Sequence, residues 1–282
     1  MQAPFPMTFR FDEPRKPVKF YTSRTTISVA CLDWPREGYA ERCYKKIVST
    51  WQDEPHQQMK STPQETFRNL LNRKVLPNSL ESLVFDFRIE GMTLIEITHL
   101  LRHRQMFGIH AQCTADRFLN VDSAFIPSSI YNSEYCEEYK RLTTETVHFY
   151  QDMVDSLEIS IMDARYILPR NFRYYYYVSM NLSTAMAFIK QRRCTAIQPE
   201  LDNIIAQKIY EHIILHIPEV AEVLDLKCDG SCHTTFNNDE HTTRLYQPDE
   251  NHRKIMEDKG CNLAPENFVY SKTRKEMGAY YE

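Results

Sequence analysis

The stretch Glu81–Arg104, ESLVFDFRIEGMTLIEITHLLRHR, changes its period halfway along. Leu83, Phe85, Phe87 and Ile89 are interleaved with Asp86, Arg88 and Glu90. A two-residue period puts the apolar set on one face of a strand and the charged set on the other. At Thr93 the alternation stops. Thr93 and Glu96 stand at the spacing of a capping box, in which each side chain satisfies a backbone N–H at a helix start. The helix they open is expected to run directly into Arg102, His103 and Arg104. Successive helical residues point about 100° apart, so these side chains fan out around the axis. They suit an extended, multiply charged ligand better than one metal ion.

Working outward, KFYTSRTTISVACLD (19–33) reads as a strand, with Ile27, Val29 and Cys31 alternating. After Gly38, the residues Tyr39, Cys43, Ile47 and Trp51 recur at helical spacing, and a loop follows. Thr62, Pro63 and Glu65 open another helix, whose apolar face is Phe67, Leu70 and Leu71. A long helix is expected from Glu134 to about Leu157, with Tyr135, Tyr139, Leu142, Tyr150, Met153 and Leu157 facing inward. SIMDARYIL (160–168) reads as a short helix stopped by Pro169, and NFRYYYYVSM (171–180) as a tyrosine-rich strand. Asn181 caps the next helix, LSTAMAFIKQRR (182–193), and QPELDNIIAQKIYEHIILHI (198–217) is another, with Pro199 near its start. Past about Lys227 the pattern dissolves into polar turns, which divides the chain into a main domain, 1–226, and a polar C-terminal extension, 227–282.

Composition narrows the function classes. The 282-residue chain holds 34 Lys and Arg against 38 Asp and Glu, a net charge of −4. No global basic field exists to hold nucleic acid, so a phosphate partner must be gripped locally. There are six glycines, and none forms a dinucleotide-binding fingerprint. Eight cysteines, far apart except Cys228 and Cys232, read as reduced thiols. MQAPFPMTFRFDEPRKP has no apolar signal core, and no run approaches the ~18 apolar residues of a membrane span. A soluble cytoplasmic protein without a membrane partner is the expectation.

The local grip is found in LRHRQMFGIHAQCTADRF (101–118), where three arginines, two histidines and Cys113 gather. Arginine forks give phosphate paired, charge-assisted hydrogen bonds. A cation at a helix C-terminus is also favourable with no ligand at all, through the helix dipole. Cys113, near His110, is either a nucleophile of lowered pKa or an inert thiol. CDGSCH (228–233) with His241, His252 and Cys261 holds enough donors for zinc. Its C-x3-C spacing has no matching second pair and equally describes a polar loop, so no metal site is assigned.

In their order and spacing these blocks resemble the flavin-dependent thymidylate synthases. That family carries Arg-His-Arg, then after seven residues a Ser, then Arg-Tyr. Here Arg102-His103-Arg104 is followed by Gln112 in the place of the serine, then by Arg117-Phe118 after about three extra residues. The family also has a glutamate at the head of the preceding strand, matched by Glu81. Downstream it has an Ala-Arg helix ending in Leu-Pro, an aromatic strand, an Asn, an Arg eleven residues on, and Gln-x-Glu. This chain reads ARYILPRNFRYYYYVSMN (164–181), then Arg192, then QPEL (198–201). The similarity covers roughly residues 19–223.

The resemblance implies an α/β (α+β) fold with an antiparallel or mixed sheet and flanking helices, and a homotetramer whose active sites lie between subunits. It implies FAD, NADPH and methylenetetrahydrofolate acting on dUMP to give dTMP, with no enzyme cysteine attacking the base. Arg102, His103, Arg104, Asn78, Glu81 and Asn181 are the implied flavin contacts. Arg117 and Arg165, with His99, Gln112 and Thr114, are the implied nucleotide contacts. Arg192 is the implied base-binding and catalytic arginine, a cation placed where charge develops on the ring carbonyl. Each has a plainer reading beside it. Arg165 can be one partner of a surface ion pair, Arg192 part of a solvated basic face with Lys190 and Arg193, and His99 a packed helix residue.

The departures cluster at the site. The serine is missing and its loop is longer, with Thr114 able to replace the hydroxyl. LSTAMAFIK stands where further polar flavin contacts are usual, and Ala196 where a histidine is usual. A longer loop leaves room for dCMP or UMP as substrate, or for a hydroxymethyl product. The alternative of another class is a non-catalytic nucleotide-binding relative.

Overall fold

A computed structural model describes residues 17–22, 27–54, 59–72, 77–103, 106–111, 123–193 and 200–224. The expected C-terminal extension, with its Cys and His residues, lies outside them. Strands β1 (Lys19–Tyr21) and β2 (Ser28–Asp33) come first, followed by helices α1 (Tyr39–Trp51) and α2 (Pro63–Leu71). A 3-10 helix (Pro77–Ser82) leads into β3 (Val84–Met92) and α3 (Leu94–Leu100). Then come β4 (Phe107–Ala111), β5 (Ser123–Phe125), α4 (Ser128–Tyr131), α5 (Cys136–Asp155) and α6 (Ile161–Ala164). The described chain ends through β6 (Tyr174–Asn181), α7 (Leu182–Arg192), α8 (Glu200–His216) and α9 (Ala221–Leu224).

Four strands form one sheet in the order β2-β3-β6-β4, and β1 pairs with β5 in parallel as a separate ribbon. The expected α/β architecture of a sheet with flanking helices is therefore present. β4 and β6 are antiparallel, and their register shifts between Phe107 and His110. Gly108 lies in that irregularity at φ +55, and a Cβ there would stand 2.6 Å from the Ser179 Oγ. Both the backbone conformation and the close approach call for glycine.

The chain divides into two compact units, Met1–Ala30 with Phe87–Ser179, and Cys31–Asp86 with Met180–Glu282. Buried side chains of the first include Phe87, Ile89, Leu100, Tyr150 and Tyr176; those of the second include Phe67, Leu70, Phe85, Phe188 and Ile209. The alternation in β3 is as expected: Phe85, Phe87 and Ile89 are buried, with Asp86, Arg88 and Glu90 half-buried between them. Both capping boxes are present, Thr62 with Glu65 and Thr93 with Glu96.

Three expectations need correction. Residues 19–33 are not one strand: β1 and β2 belong to different sheets. The long helix buries Thr143, Val147, Tyr150 and Val154, at four- and three-residue steps, while Tyr135, Leu142 and Leu157 are exposed. Helical geometry allows only one such face inward, and the small Thr143 rather than its apolar neighbour Leu142 lies on it. Tyr135 and Leu157 fall outside the helix, the latter at φ +60. In addition, the sequence suggests no strand after Arg-His-Arg, and β4 starts at Phe107. Among the described residues, no helix is long and apolar enough to cross a membrane.

Candidate functional site

The expected site residues fall on both units. His99, Arg102, His103 and Arg165 belong to the first; Asn78, Glu81, Asn181 and Arg192 belong to the second. Arg104, Gln112, Cys113, Thr114 and Arg117 lie outside the described residues.

In the first unit, α3 is anchored firmly at its start. Thr93 and Glu96 are both buried, the Thr93 N–H donates to Glu96 Oε2 at 2.9 Å, and the Thr93 hydroxyl donates to the same oxygen. The Leu94 N–H donates to the Arg170 carbonyl at 3.3 Å, which ties the helix start to the segment that follows Arg165. The helix stops at Leu100. The Arg102 N–H then bonds back to His99 at 3.3 Å and the His103 N–H to Leu100 at 2.9 Å, three-residue steps of a tightened turn. Arg102 and His103 therefore lie past the helix, which corrects the expected fan of helical side chains. His99 is half-buried on α3, Arg102 is exposed, and His103 is half-buried. Among the described residues no carboxylate pairs with Arg102.

Arg165 opens a 3-10 turn directly after α6, whose start is capped by Ser160 accepting from the Met162 N–H. It is half-buried, with its guanidinium 5.8 Å from the Tyr166 ring centroid. Among the described residues it forms no surface ion pair.

In the second unit, Asn78 and Glu81 are exposed on the 3-10 helix, which packs against α7. The Leu182 N–H donates to the Leu83 carbonyl at 2.7 Å, joining the head of α7 to the residue before β3. Asn181 caps α7, its Oδ1 accepting from the Thr184 N–H at 2.8 Å. Its amide oxygen is thus committed, and its amide NH2 is the group left for a ligand.

Arg192 ends α7, and its surroundings are unlike those of Arg102. It is 7% exposed, and its Nη1 stands 3.8 Å from Oδ2 of Asp202, which is 0% exposed. The Asn203 amide donates to the Arg192 carbonyl at 3.3 Å. Next to it, the Arg193 guanidinium lies 4.0 Å from the Tyr210 ring centroid and donates to the Leu224 carbonyl. Lys190 alone of the three is exposed. A solvated basic face does not describe this turn. Sequence reasoning missed Asp202 and Asn203; the available signal was an acidic first turn in α8, beginning at Glu200.

Two of the described thiols, Cys31 and Cys43, are poor nucleophiles. Burial, with Asp33 and Asp86 adding to it, pushes Cys31 up to about 11. Burial pushes Cys43 up to about 11 as well, and its Sγ donates to the Ser79 carbonyl. Both stay protonated at neutral pH. Among the described residues no group of three or more His, Cys, Asp or Glu is arranged to hold a metal ion.

Residues 37–219 match the family described as thymidylate synthase complementing protein. A flavin-dependent thymidylate synthase from Pyrococcus abyssi is 27% identical over 197 residues, which span 66% of this chain and 79% of that protein. In fold, the chain is similar to the UMP/dUMP methylase PolB from Streptomyces cacaoi bound with 5-Br dUMP, with a TM-score of 0.59, 16% identity, and coverage of 74% of this chain and 97% of that one. Thymidylate Synthase X from Helicobacter pylori with FAD and dUMP is similar at a TM-score of 0.53 and 14% identity, over 69% of this chain and 99% of that one.

Proposed function

The chain belongs to the thymidylate synthase complementing protein family, the flavin-dependent thymidylate synthases, and from that premise we propose that it transfers one carbon from methylenetetrahydrofolate to C5 of dUMP, giving dTMP. FAD, reduced by NADPH, supplies the redox chemistry when bound.

The observation that carries the flavin part is the turn at Arg102. An exposed guanidinium stands beyond a helix fixed by a buried capping box, and the described residues offer it no carboxylate. An anionic diphosphate fits that chemistry. His103 and Arg104 follow it in the sequence and add hydrogen-bond donors. Asn78, Glu81 and the amide NH2 of Asn181 supply hydrogen-bonding groups for the rest of the cofactor.

For the nucleotide, Arg165 and Arg117 take the 5′-phosphate, and His99, Gln112 and Thr114 complete its contacts. Arg192 holds the base by a ring carbonyl and opposes the negative charge that develops there. Arginine only donates hydrogen bonds, so it suits O4 of uracil better than the amino group of cytosine. A homotetramer accounts for the exposed Leu142 and Phe149, seven residues apart on one side of α5.

Purified protein is expected to be yellow or to bind added FAD. With NADPH and methylenetetrahydrofolate it converts dUMP to dTMP, identified by mass spectrometry. UMP is the second substrate to offer, since a fold neighbour is named as a UMP/dUMP methylase; dCMP is the third. A hydroxymethyl product would correct the reaction, and colourless protein with no FAD binding would overturn it in favour of a non-catalytic nucleotide binder.

A further inference from the structure

The first turn of α8 grips Arg192 at both ends. Asp202 faces its guanidinium at 3.8 Å, and Asn203 donates to its backbone carbonyl at 3.3 Å. Both contacts lie within the second unit, on consecutive helices. We propose that Asp202 and Asn203 are positioning residues for Arg192, fixing the base-binding cation before the nucleotide arrives. The inference rests on the reading of Arg192 as the group that meets the base.

An arginine side chain has many rotamers to lose, and a cation that stabilises developing charge must be held to within about 0.5 Å. Asp202 is fully buried, so it touches no substrate and acts through the residues packed against it, Arg192 among them. At 3.8 Å the contact is longer than a hydrogen bond, and it orients the guanidinium by charge. Asn203 fixes the other end of the lever. Its bond to the carbonyl of the last residue of α7 satisfies one of the acceptors that a helix C-terminus leaves without an intrahelical partner. A fully buried carboxylate is costly unless a cation compensates it, so the pair is held together from both sides.

The test compares Asp202→Asn, Asp202→Glu, Asn203→Ala and Arg192→Gln, each as FAD-loaded protein, with turnover expressed per bound FAD. Asp202→Asn is expected to lower kcat at least about tenfold while KM for dUMP and its affinity by calorimetry change less than about threefold, because a positioning loss is felt in the transition state. Asp202→Glu restores part of kcat, and Asn203→Ala loses less than Asp202→Asn. A merely structural role would lower the FAD-loaded fraction and leave kcat per bound FAD within about twofold of the parent, which overturns the proposal. If Asp202→Asn does not fold, Asp202→Glu decides by the same criterion. Normal turnover in Arg192→Gln would defeat the base-binding reading and this inference with it. An inactive Arg192→Gln beside a normal Asp202→Asn would defeat the inference alone.

Discussion

Arg102 and Arg192 are reached by the same layout and finish in opposite surroundings. Each follows a strand and a capped helix: β3, Thr93 and α3 for one, β6, Asn181 and α7 for the other. Each stands at or just past the helix C-terminus, where the dipole favours a cation. Arg102 is exposed, whereas Arg192 is 7% exposed and faces a carboxylate of the chain's own. The helix end explains why a cation is tolerated in both places. What separates them is the source of the anion. On the proposed reading, a cation whose counter-ion is built in is a fixed tool, and one left open takes its counter-ion from a ligand.

The largest effect expected from breaking this contrast is on stability. Arg192→Ala leaves Asp202 buried with its ion partner gone and is expected to cost about 3–5 kcal/mol by urea unfolding. Replacing both by leucine should cost much less than the two single changes added together, because the pair is removed whole. Additive losses would mean that Asp202 and Arg192 do not depend on each other. Arg102→Ala comes next and should behave in the opposite way. Unfolding free energy stays within about 0.5 kcal/mol, while FAD affinity falls roughly tenfold to a hundredfold as a charge-assisted bond is lost. Unchanged FAD affinity would make Arg102 a mere helix-end cation.

A smaller effect belongs to the strand that leaves the open turn. Gly108→Ala forces a side chain to φ +55 against Ser179 and should cost about 1–2 kcal/mol, with only part recovered when Ser179 is also made alanine. No loss of Tm would show that β4 relaxes freely. The least is expected from Arg141, which has partners without burial. It pairs with Glu138 and Glu145 on exposed α5, and Arg141→Ala should leave Tm unchanged within error. A clear drop would mean that pairing matters more than burial in this chain.

Much of this was legible in the sequence where a local rule decides the outcome. β3 follows from its alternation, and α2, α3 and α7 from Thr62, Thr93 and Asn181. Tertiary choices were not legible. Tyr21 and Ser28 read as one strand because nothing local says that β1 pairs with β5. Leu142 looks more buried than Thr143 until the helix has something to pack against. The site divides in the same way. The arginines were visible as residues, but the tightened turn at Arg102 and the burial of Arg192 depend on hydrogen bonds and packing. Asp202 was ten residues downstream of Arg192, with no spacing rule to join them.

The central claim is that the buried arginine works on the nucleotide and the open one on the flavin. The most direct measurement is turnover and FAD content, in one preparation, of the variant carrying Arg192→Leu with Asp202→Leu, which removes the pair whole. The account predicts FAD bound as in the parent and no dTMP formed from dUMP. Near-normal dTMP formation, or loss of FAD with the substitution, would contradict it.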